Sequence, residues 1–415
     1  MTELKKCIVC EGDVKEVMNL GELYPSAFIH SPDETSKFTK SKTSVNWCSK
    51  CKNMQASYTK DGEELFRDYY YNSGINAQMR ASLLDIVQSR PVQDTYLMND
   101  EHMFHWLDIA CNDGTMCGQI KNEYSNSFVV GVDPANVKHK GSDVFINDFF
   151  SADKVRDKIG DRKIDRKFDV ISCIAMMYDI VDIHKFVEDV KSLLKEDGVF
   201  VAQLMDLESR VKTYAIDDCC EEHVVCYSLE CLVALFKRHG LEVFDLEYNK
   251  TNCSSLRIYV GFEGKHEVRE CVEQTVLFQS ENFTFDKMTE WWERVQARLW
   301  AFKSYLDKQK FMGKKIYLVG ASTKANTLLQ LAGIDNTIIT EALELSDFKF
   351  GRYMLWSNIP IVSEKEHFAK EVKHRWDEVY VIAIWAFKDG ILKNYQKYRD
   401  QGCTMIWPFP VPTVL

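Results

Sequence analysis

Four cysteines near the start of the chain stand as two identical pairs, Cys7-x-x-Cys10 and Cys48-x-x-Cys51, with 37 residues between them. A two-residue gap lets both thiolates of a pair enter one tetrahedral metal shell. Two such pairs complete an all-sulfur zinc site with no position open to substrate. Two unrelated pairs of reduced thiols is the plainer reading, and the duplicated spacing argues against it. A closed site of this kind builds structure, so the reaction chemistry is sought further along.

The next group begins at Trp106-Leu-Asp-Ile-Ala-Cys-Asn-Asp-Gly-Thr115, which reads as a strand entering a tight turn and then a helix. Asp108, Ala110, Asn112 and Asp113 lie on it; small residues at such a turn let backbone approach a ligand, and the helix start offers unpaired N–H groups. Phe128-Val-Val-Gly-Val-Asp-Pro134 follows, ending in Asp133 and Pro134. Asp133 comes 25 residues after Asp108, where a doubly wound fold sets a carboxylate against ribose hydroxyls. A third strand ends at Asn147-Asp148-Phe149-Phe150, placing a polar side chain and an aromatic ring beside an adenine. The turn lacks GxGxxG, which disfavours a dinucleotide. A nucleoside carrying a charged amino-acid tail fits better, and the expected cofactor is S-adenosylmethionine. A doubly wound sheet with no cofactor is the competing reading.

The elements that must position these groups are legible in outline. At 415 residues the chain exceeds a single core. An apolar content of 46% and a net charge of −10 describe a globular protein whose main task is not binding a nucleic-acid backbone. No apolar run is long enough to span a bilayer. With no signal-peptide core and with thiolates kept for zinc, a cytoplasmic location is expected, with no membrane partner. The other ten cysteines show no framework spacing. Residues 1–60 read as a zinc module, with a strand at Thr43–Trp47. Residues 61–102 form a helical linker with Met79, Leu83, Leu84 and Val87 at helical spacing. Residues 103–280 alternate strands (Trp106–Ala110, Phe128–Val132, Val144–Ile146, Phe168–Ile174, Gly198–Leu204, Ser255–Gly261) with helices, which means a mostly parallel sheet. Residues 281–415 open with a Trp-rich amphipathic helix through Trp291, Trp292, Val295 and Leu299. They continue as a second α/β unit with strands at Lys315–Val319, Glu378–Ile384 and Thr404–Trp407, and a helix beginning near Asn326.

The order of zinc knuckle, Tyr71-Asn-Ser73-Gly, Cys-Asn-Asp-Gly-Thr, Val-Asp-Pro-Ala-Asn, Asp-Phe-Phe-Ser, Glu-Glu-His and Gly-Ala-Ser-Thr-Lys-Ala-Asn-Thr resembles the S-adenosylmethionine-dependent sugar C-methyltransferases. The resemblance runs over nearly the whole chain. It implies a small N-terminal zinc module, a class I methyltransferase Rossmann-like sheet and a second, C-terminal Rossmann-like α/β domain. The implied substrate is a nucleotide-linked keto-deoxysugar. The stretch Cys220-Glu-Glu222-His223 matches the family's catalytic segment and makes His223 the candidate general base, since histidine alone titrates near ambient pH unperturbed. Glu222 would orient the imidazole or bind a sugar hydroxyl. Tyr71 and Ser73 lie where the family's linker closes over cofactor and sugar, although packing alone explains any one tyrosine of the Tyr69–Tyr71 cluster equally well. Arg257 is a candidate partner of the nucleotide diphosphate. Ser322, Thr323 and Lys324 are candidate phosphate ligands at a helix start, unless the second α/β unit only buttresses the site.

Four departures stand beside the resemblance: Cys220 replaces a tyrosine, Asp179 stands near the place of a histidine, Ala110 replaces a glycine, and Cys253-Ser254 replaces a glycine pair. Tyr178 with Asp179 is the nearest substitute for the missing groups. Ala110 is tolerable provided that it keeps a negative φ. Methylation of a sugar oxygen, a non-catalytic binding protein and a dinucleotide-dependent oxidoreductase remain as alternatives, the last two weaker. Glu-Glu-His also reads as a solvated cap at a helix start. The sugar and the oligomeric state are not encoded in any motif.

Overall fold

The computed structural model describes residues 2–67, 72–75, 77–98, 103–160, 167–220, 222–251, 254–370 and 372–415. Tyr69, Tyr70, Tyr71, Glu221 and Cys253 lie outside them. The chain divides into two compact units that interleave along the sequence. One comprises Met1–Lys15, Trp47–Ser209 and Val224–Thr284; the other comprises Glu16–Asn46, Arg210–His223 and Phe285–Leu415.

The first unit is organised by a seven-stranded sheet: β1 (Phe104–Ile109), β2 (Ser127–Val132), β3 (Val144–Ile146), β4 (Phe168–Ile174), β5 (Leu194–Leu204), β6 (Leu241–Asn249) and β7 (Ser255–Phe262). Their order is β6-β7-β5-β4-β1-β2-β3, parallel except for β7, which runs antiparallel to both of its neighbours. All six residues of β1 are buried, as a parallel strand covered on both faces requires. Leu107, Ile109, Val130, Val132, Ile171 and Phe200 pack on one face, while Phe104, Trp106, Val129, Val170 and Val201 pack on the other. Strand β6 was not anticipated, because Leu241-Glu-Val-Phe-Asp-Leu-Glu alternates too loosely to stand out.

The strand order reverses between β1 and β4, and in such sheets ligands bind beyond the carboxyl ends of the strands at that point. Asp108 pairs in register with Gly131 on β2 and Ser172 on β4, so the strand ends carrying the candidate cofactor residues are level. Helix α1 (Ala77–Val87) buries Met79, Leu83, Ile86 and Val87; α2 (Thr115–Glu123) follows the turn after β1; α3 (Leu229–Arg238) starts behind the Ser228 cap.

Cys7, Val9, Cys10, Cys48 and Cys51 belong to the same apolar cluster as Leu107, Val132 and α3 residues Leu232 and Leu235. Residues 1–60 are therefore not a separate module. Their knuckles are built into the methyltransferase sheet's own core, while Glu16–Asn46 belongs to the other unit.

The second unit has a six-stranded sheet of β8 (Lys315–Val319), β9 (Glu341–Glu344), β10 (Ile361–Ser363), β11 (Glu378–Ile382), β12 (Thr404–Trp407) and β13 (Thr413–Val414), in the order β10-β9-β8-β11-β12-β13. Only β13 is antiparallel to its neighbour. Helix α4 (Phe285–Phe311) buries Met288, Trp291, Trp292, Val295, Leu299, Phe302 and Leu306 at helical spacing. Helix α5 (Thr323–Ala332) begins three residues earlier than its sequence suggests, because the Ser322 hydroxyl accepts the Ala325 N–H as an N-cap. The excursion between the knuckles is fastened here: Phe28–Ile29 pairs antiparallel with Tyr353–Met354, and Tyr24 N–H donates to Gln330 Oε1 at 2.8 Å.

Candidate active site

Three left-handed residues shape the turn after β1: Ala110 (φ 59°), Asn112 (φ 48°) and Gly114 (φ 77°). Ala110 does not meet the condition of a negative φ under which it is tolerable, and the alanine carries strain of about 1–2 kcal/mol that a glycine would not. The Asn112 N–H donates to Asp133 Oδ2 at 2.8 Å, and Ala135 N–H donates to Oδ1 at 2.8 Å. Burial raises the Asp133 carboxyl above its ordinary range, and these two N–H groups oppose that.

Asn112 and Asp113 also reach back to the linker. Ser73 N–H donates to Asn112 Oδ1 at 3.0 Å, and Gly74 N–H donates to Asp113 Oδ2 at 2.8 Å. The two sequence motifs are thereby clasped to each other. Gly74 has to be glycine, since a Cβ there would lie 2.7 Å from Asp113 Oδ2.

At the end of β3, Lys154 and Arg67 pair with Asp148 at 2.8 and 3.3 Å. The Lys154 hydrogen bond leads in holding the Asp148 carboxyl below its usual range. Arg67 further donates to the Pro134 carbonyl at 3.3 Å and stacks over Phe149. Sequence reasoning missed Arg67, which gathers Pro134, Asp148 and Phe149 into one constellation. Its only local signal is a charge just before the tyrosine cluster, spaced to pair with Glu63 one helical turn back at 2.6 Å.

Asp108 lies beneath the turn, buried, accepting from Ser172 Oγ at 2.7 Å. Burial pushes its carboxyl up to about 7. The folded protein therefore holds a proton that the unfolded chain releases near its ordinary value of 3.8. That contribution to stability is complete below the unfolded value and lost as pH rises through about 7. Asp108→Asn cannot ionise, so its stability relative to wild type should grow from pH 4 to pH 8 by a few kcal/mol at most, at about 1.36 kcal/mol per pKa unit. Urea unfolding at both pH values checks this, and a pH-independent difference would contradict it.

Gly114 shows how tightly the turn is packed. A Cβ there would lie 1.8 Å from the Lys140 carbonyl oxygen. Gly114→Ala is expected to cost roughly 3–5 kcal/mol through a left-handed side chain and overpacking. Gly118→Ala, whose Cβ meets nothing within 4 Å, should stabilise α2 by up to about 1 kcal/mol. Urea midpoints of the two variants provide the comparison.

Tyr178 is buried and Asp179 half-buried, on the turn Met177–Asp179 after β4. The Tyr178 carbonyl accepts the Val224 N–H at 2.9 Å within the first unit.

His223 belongs to the second unit, on the segment Arg210–His223. It is not part of a helix start; α3 begins at Leu229, so the reading of Glu-Glu-His as a cap falls away. The His223 Nδ1 lies 2.7 Å from the Asp218 carbonyl oxygen. A carbonyl can only accept, so Nδ1 carries the hydrogen and Nε2 the lone pair of the neutral ring. Burial lowers the His223 pKa, Glu222 and Asp218 raise it, and Lys324 lowers it further. The Asp218 carboxylate pairs with Arg210 at 2.6 Å and is kept ionised despite burial. Asp217 accepts from the Trp385 indole at 3.2 Å and is pushed up to about 6 by burial. Tyr214 stacks between Trp291 and the Arg298 guanidinium, and the Trp291 indole donates to the Val211 carbonyl, which fixes the start of this segment. Asp217 and Trp385 escaped the sequence reading because they meet across 168 residues, while Arg210 and Asp218, 8 residues apart, form no recognisable motif.

Two substrate candidates take other roles. Arg257 is fully buried, paired with Asp85 at 3.0 Å and Glu247 at 2.5 Å, and its Nε donates to Gln203. With one carboxylate from α1 and one from β6 already on its guanidinium, it is a structural residue and not a diphosphate ligand. In the turn after β8, Glu344 Oε2 accepts the Ala321 N–H at 3.1 Å, and Lys349 pairs with Glu344 at 3.0 Å. A carboxylate thus already sits in that turn, and the Ser322 hydroxyl serves as a helix cap. Of the three candidates there, Lys324 is the one whose charge reaches Asp217, Asp218 and His223.

The sulfurs of Cys7, Cys10, Cys48 and Cys51 all lie within 4.8 Å of one another, buried. Cys7–Cys51 and Cys10–Cys48 are 3.4 and 3.5 Å apart, close to the edge of about 3.8 Å implied by four thiolates at about 2.3 Å from zinc. Each knuckle closes the same way, with Glu11 N–H donating to the Cys7 carbonyl and Lys52 N–H to the Cys48 carbonyl. The residue after the second cysteine of each pair, Glu11 or Lys52, has φ 56°. The four thiols fit a tetrahedral cation.

Comparison with known proteins agrees with this architecture. Residues 72–246 match the family of the methyltransferase domain, and residues 250–410 match the C-methyltransferase C-terminal domain. The chain is an S-adenosylmethionine-dependent methyltransferase. The two matched stretches place a methyltransferase domain before a C-methyltransferase C-terminal domain. The C-methyltransferase NovU of Streptomyces niveus is 26% identical over 430 residues, covering 99% of this chain and 97% of that protein. Solved structures with some likeness include an S-adenosylmethionine-dependent methyltransferase from Clostridium acetobutylicum, at 16% identity and TM-score 0.30, covering 44% of this chain and 98% of that one. Another is the magnesium protoporphyrin IX methyltransferase of Synechocystis with bound S-adenosylmethionine, at 11% identity and TM-score 0.32, covering 46% of this chain and 85% of that one. Among the described residues no helix is long and apolar enough to cross a membrane.

Proposed function

We propose that this protein methylates the carbon beside the ketone of a nucleotide-linked deoxysugar, with His223 as the base. S-adenosylmethionine, when bound, supplies an electrophilic methyl group on its sulfonium. Ser73, Ala110, Asn112 and Asp113 line the cofactor turn, Asp133 meets the ribose, and Asp148 and Phe149 flank the adenine. Asp108 supports the turn from below. His223 Nε2 would take the proton next to the ketone, which prepares that carbon to accept a methyl group. The Asp218 carbonyl holds the tautomer that makes this possible, Glu222 supports the imidazolium that forms, and Lys324 binds a substrate oxygen. Tyr178 and Asp179 hold the acceptor, while Tyr71 closes over the cofactor. A Zn2+ ion held by Cys7, Cys10, Cys48 and Cys51 has a purely structural part.

The observation carrying this reading is the His223 Nδ1 contact with the Asp218 carbonyl, which leaves the basic nitrogen on the other side of the ring. Mass spectrometry of products from S-adenosylmethionine and a panel of nucleotide-linked sugars tests it. A methylene gain on keto sugars alone is expected. A gain on the corresponding reduced sugars, which have no acidic carbon, would replace the carbon acceptor by a hydroxyl.

A further inference from the structure

We propose that Cys111, Cys117 and His139 form a second metal site, distinct from the four-cysteine cluster. It would take a thiophilic cation such as Zn2+ and tie the segment after β2 to the cofactor turn. Their ligand atoms all lie within 4.8 Å of one another. Cys111 Sγ is 3.6 Å from His139 Nδ1. A tetrahedral centre with zinc–sulfur and zinc–nitrogen bonds of about 2.3 and 2.0–2.1 Å has a sulfur–nitrogen edge of about 3.5 Å. The Cys111–His139 edge therefore already matches an occupied site.

The ring is held for the task. His139 Nε2 contacts Ser142 Oγ at 2.7 Å, and the imidazole stacks on Phe145 with centroids 4.1 Å apart. Nδ1 also lies 3.1 Å from the Asn112 carbonyl oxygen, which can only accept, so without a cation Nδ1 carries the hydrogen and Nε2 accepts from Ser142. Binding a cation through Nδ1 would shift the hydrogen to Nε2, where Ser142 Oγ accepts it as the outer support that ligating histidines use. The Cys117 thiol donates to Asp108 Oδ2 at 3.7 Å, which fixes its side chain. The Asn112 carbonyl oxygen, 3.1 Å from Nδ1, is a hard donor within reach of a fourth position.

Two glycines make the room. A Cβ on Gly131 would fall 2.8 Å from Cys111 Sγ and 3.1 Å from His139 Cε1, and one on Gly114 would fall 2.6 Å from the same ring carbon. Two thiols and an imidazole suit zinc or Cu+ better than magnesium or calcium. The cation would join a residue of the turn, one of α2 and one of the segment following Asp133. Its loading would restrain two stretches that flank the cofactor residues.

Metal stoichiometry of the whole protein tests this without reading methyl transfer, so it stands or falls apart from the proposed reaction. Zinc-loaded protein, freed of loosely held metal, is titrated with Cd2+. Total metal per chain is measured by elemental mass spectrometry, and thiolate-to-metal charge transfer by absorption. Two ions per chain are expected, falling to one in Cys117→Ser and in His139→Asn, with circular dichroism confirming the fold. A single ion that Cys117→Ser and His139→Asn each remove, with the fold intact by circular dichroism, would equally support the site. One ion per chain that depends on Cys48 alone, even in excess Cd2+, would overturn it. So would a second ion retained by both variants. The wild-type count decides even where a variant fails to fold.

Discussion

His223→Gln is expected to lower methyl transfer by about 10²–10⁴-fold, the usual scale for losing a general base, while S-adenosylmethionine binds as tightly as before. The base role predicts a partial reaction as well. In deuterium oxide, with S-adenosylhomocysteine in place of the methyl donor, wild type should exchange the proton beside the sugar ketone and the variant should not. The pH dependence follows from the surroundings of the ring. Burial lowers the His223 pKa, so the neutral, basic form persists below the ordinary histidine value of 6.5. The acid limb of kcat/KM should then fall below about pH 6.5. Lys324 lowers the same pKa, so Lys324→Met should shift that limb to higher pH whatever it does to KM. Exchange that survives in His223→Gln would remove this histidine from the mechanism.

Withdrawing metal from the four-cysteine cluster should collapse the methyltransferase unit itself and not merely residues 1–60. Structural zinc in small domains contributes on the order of 10 kcal/mol at neutral pH, comparable to the whole stability of an ordinary domain. The knuckles are bound into the unit from several sides. The Val9 carbonyl accepts from His184 Nε2 at 2.9 Å and from Arg238 at 2.7 Å. Ser228, the cap of α3, also reaches the Cys51 carbonyl at 3.5 Å. Cys48→Ser, or chelation verified by elemental analysis, is therefore expected to abolish S-adenosylmethionine binding together with the cooperative unfolding transition of the sheet. An intact transition and unchanged cofactor affinity after verified metal loss would show that the knuckles are dispensable to this core.

Several elements were readable because their signals lie within short windows. The strand at Val144–Ile146, the full span of Phe168–Ile174 and the Trp-rich helix all appear where apolar periodicity and flanking turns put them. Strands β9 and β10, of four and three residues, were not read. At the cofactor turn the residue types were legible but not their tasks. Asn112 and Asp113 read as ligand-binding groups, and each also spends a side-chain oxygen on the linker's backbone. Arg257 read as a cation facing substrate. Which residues neighbour it across β5 and β6 depends on strand order, and those neighbours bury it.

The sequence by itself determined the paired knuckles, the succession of strand, turn and helix in both α/β units, and the acid at the end of β2. Each depends on residue type and spacing over a few turns of chain. Only the tertiary structure decided that Glu16–Asn46 leaves the knuckles to pair with Tyr353–Met354, and that Asp218 sets the His223 tautomer. It alone brought His139 to Cys111 across 27 intervening residues. These arrangements follow from which segments the sheets and their cores bring together, and no local pattern carries that information.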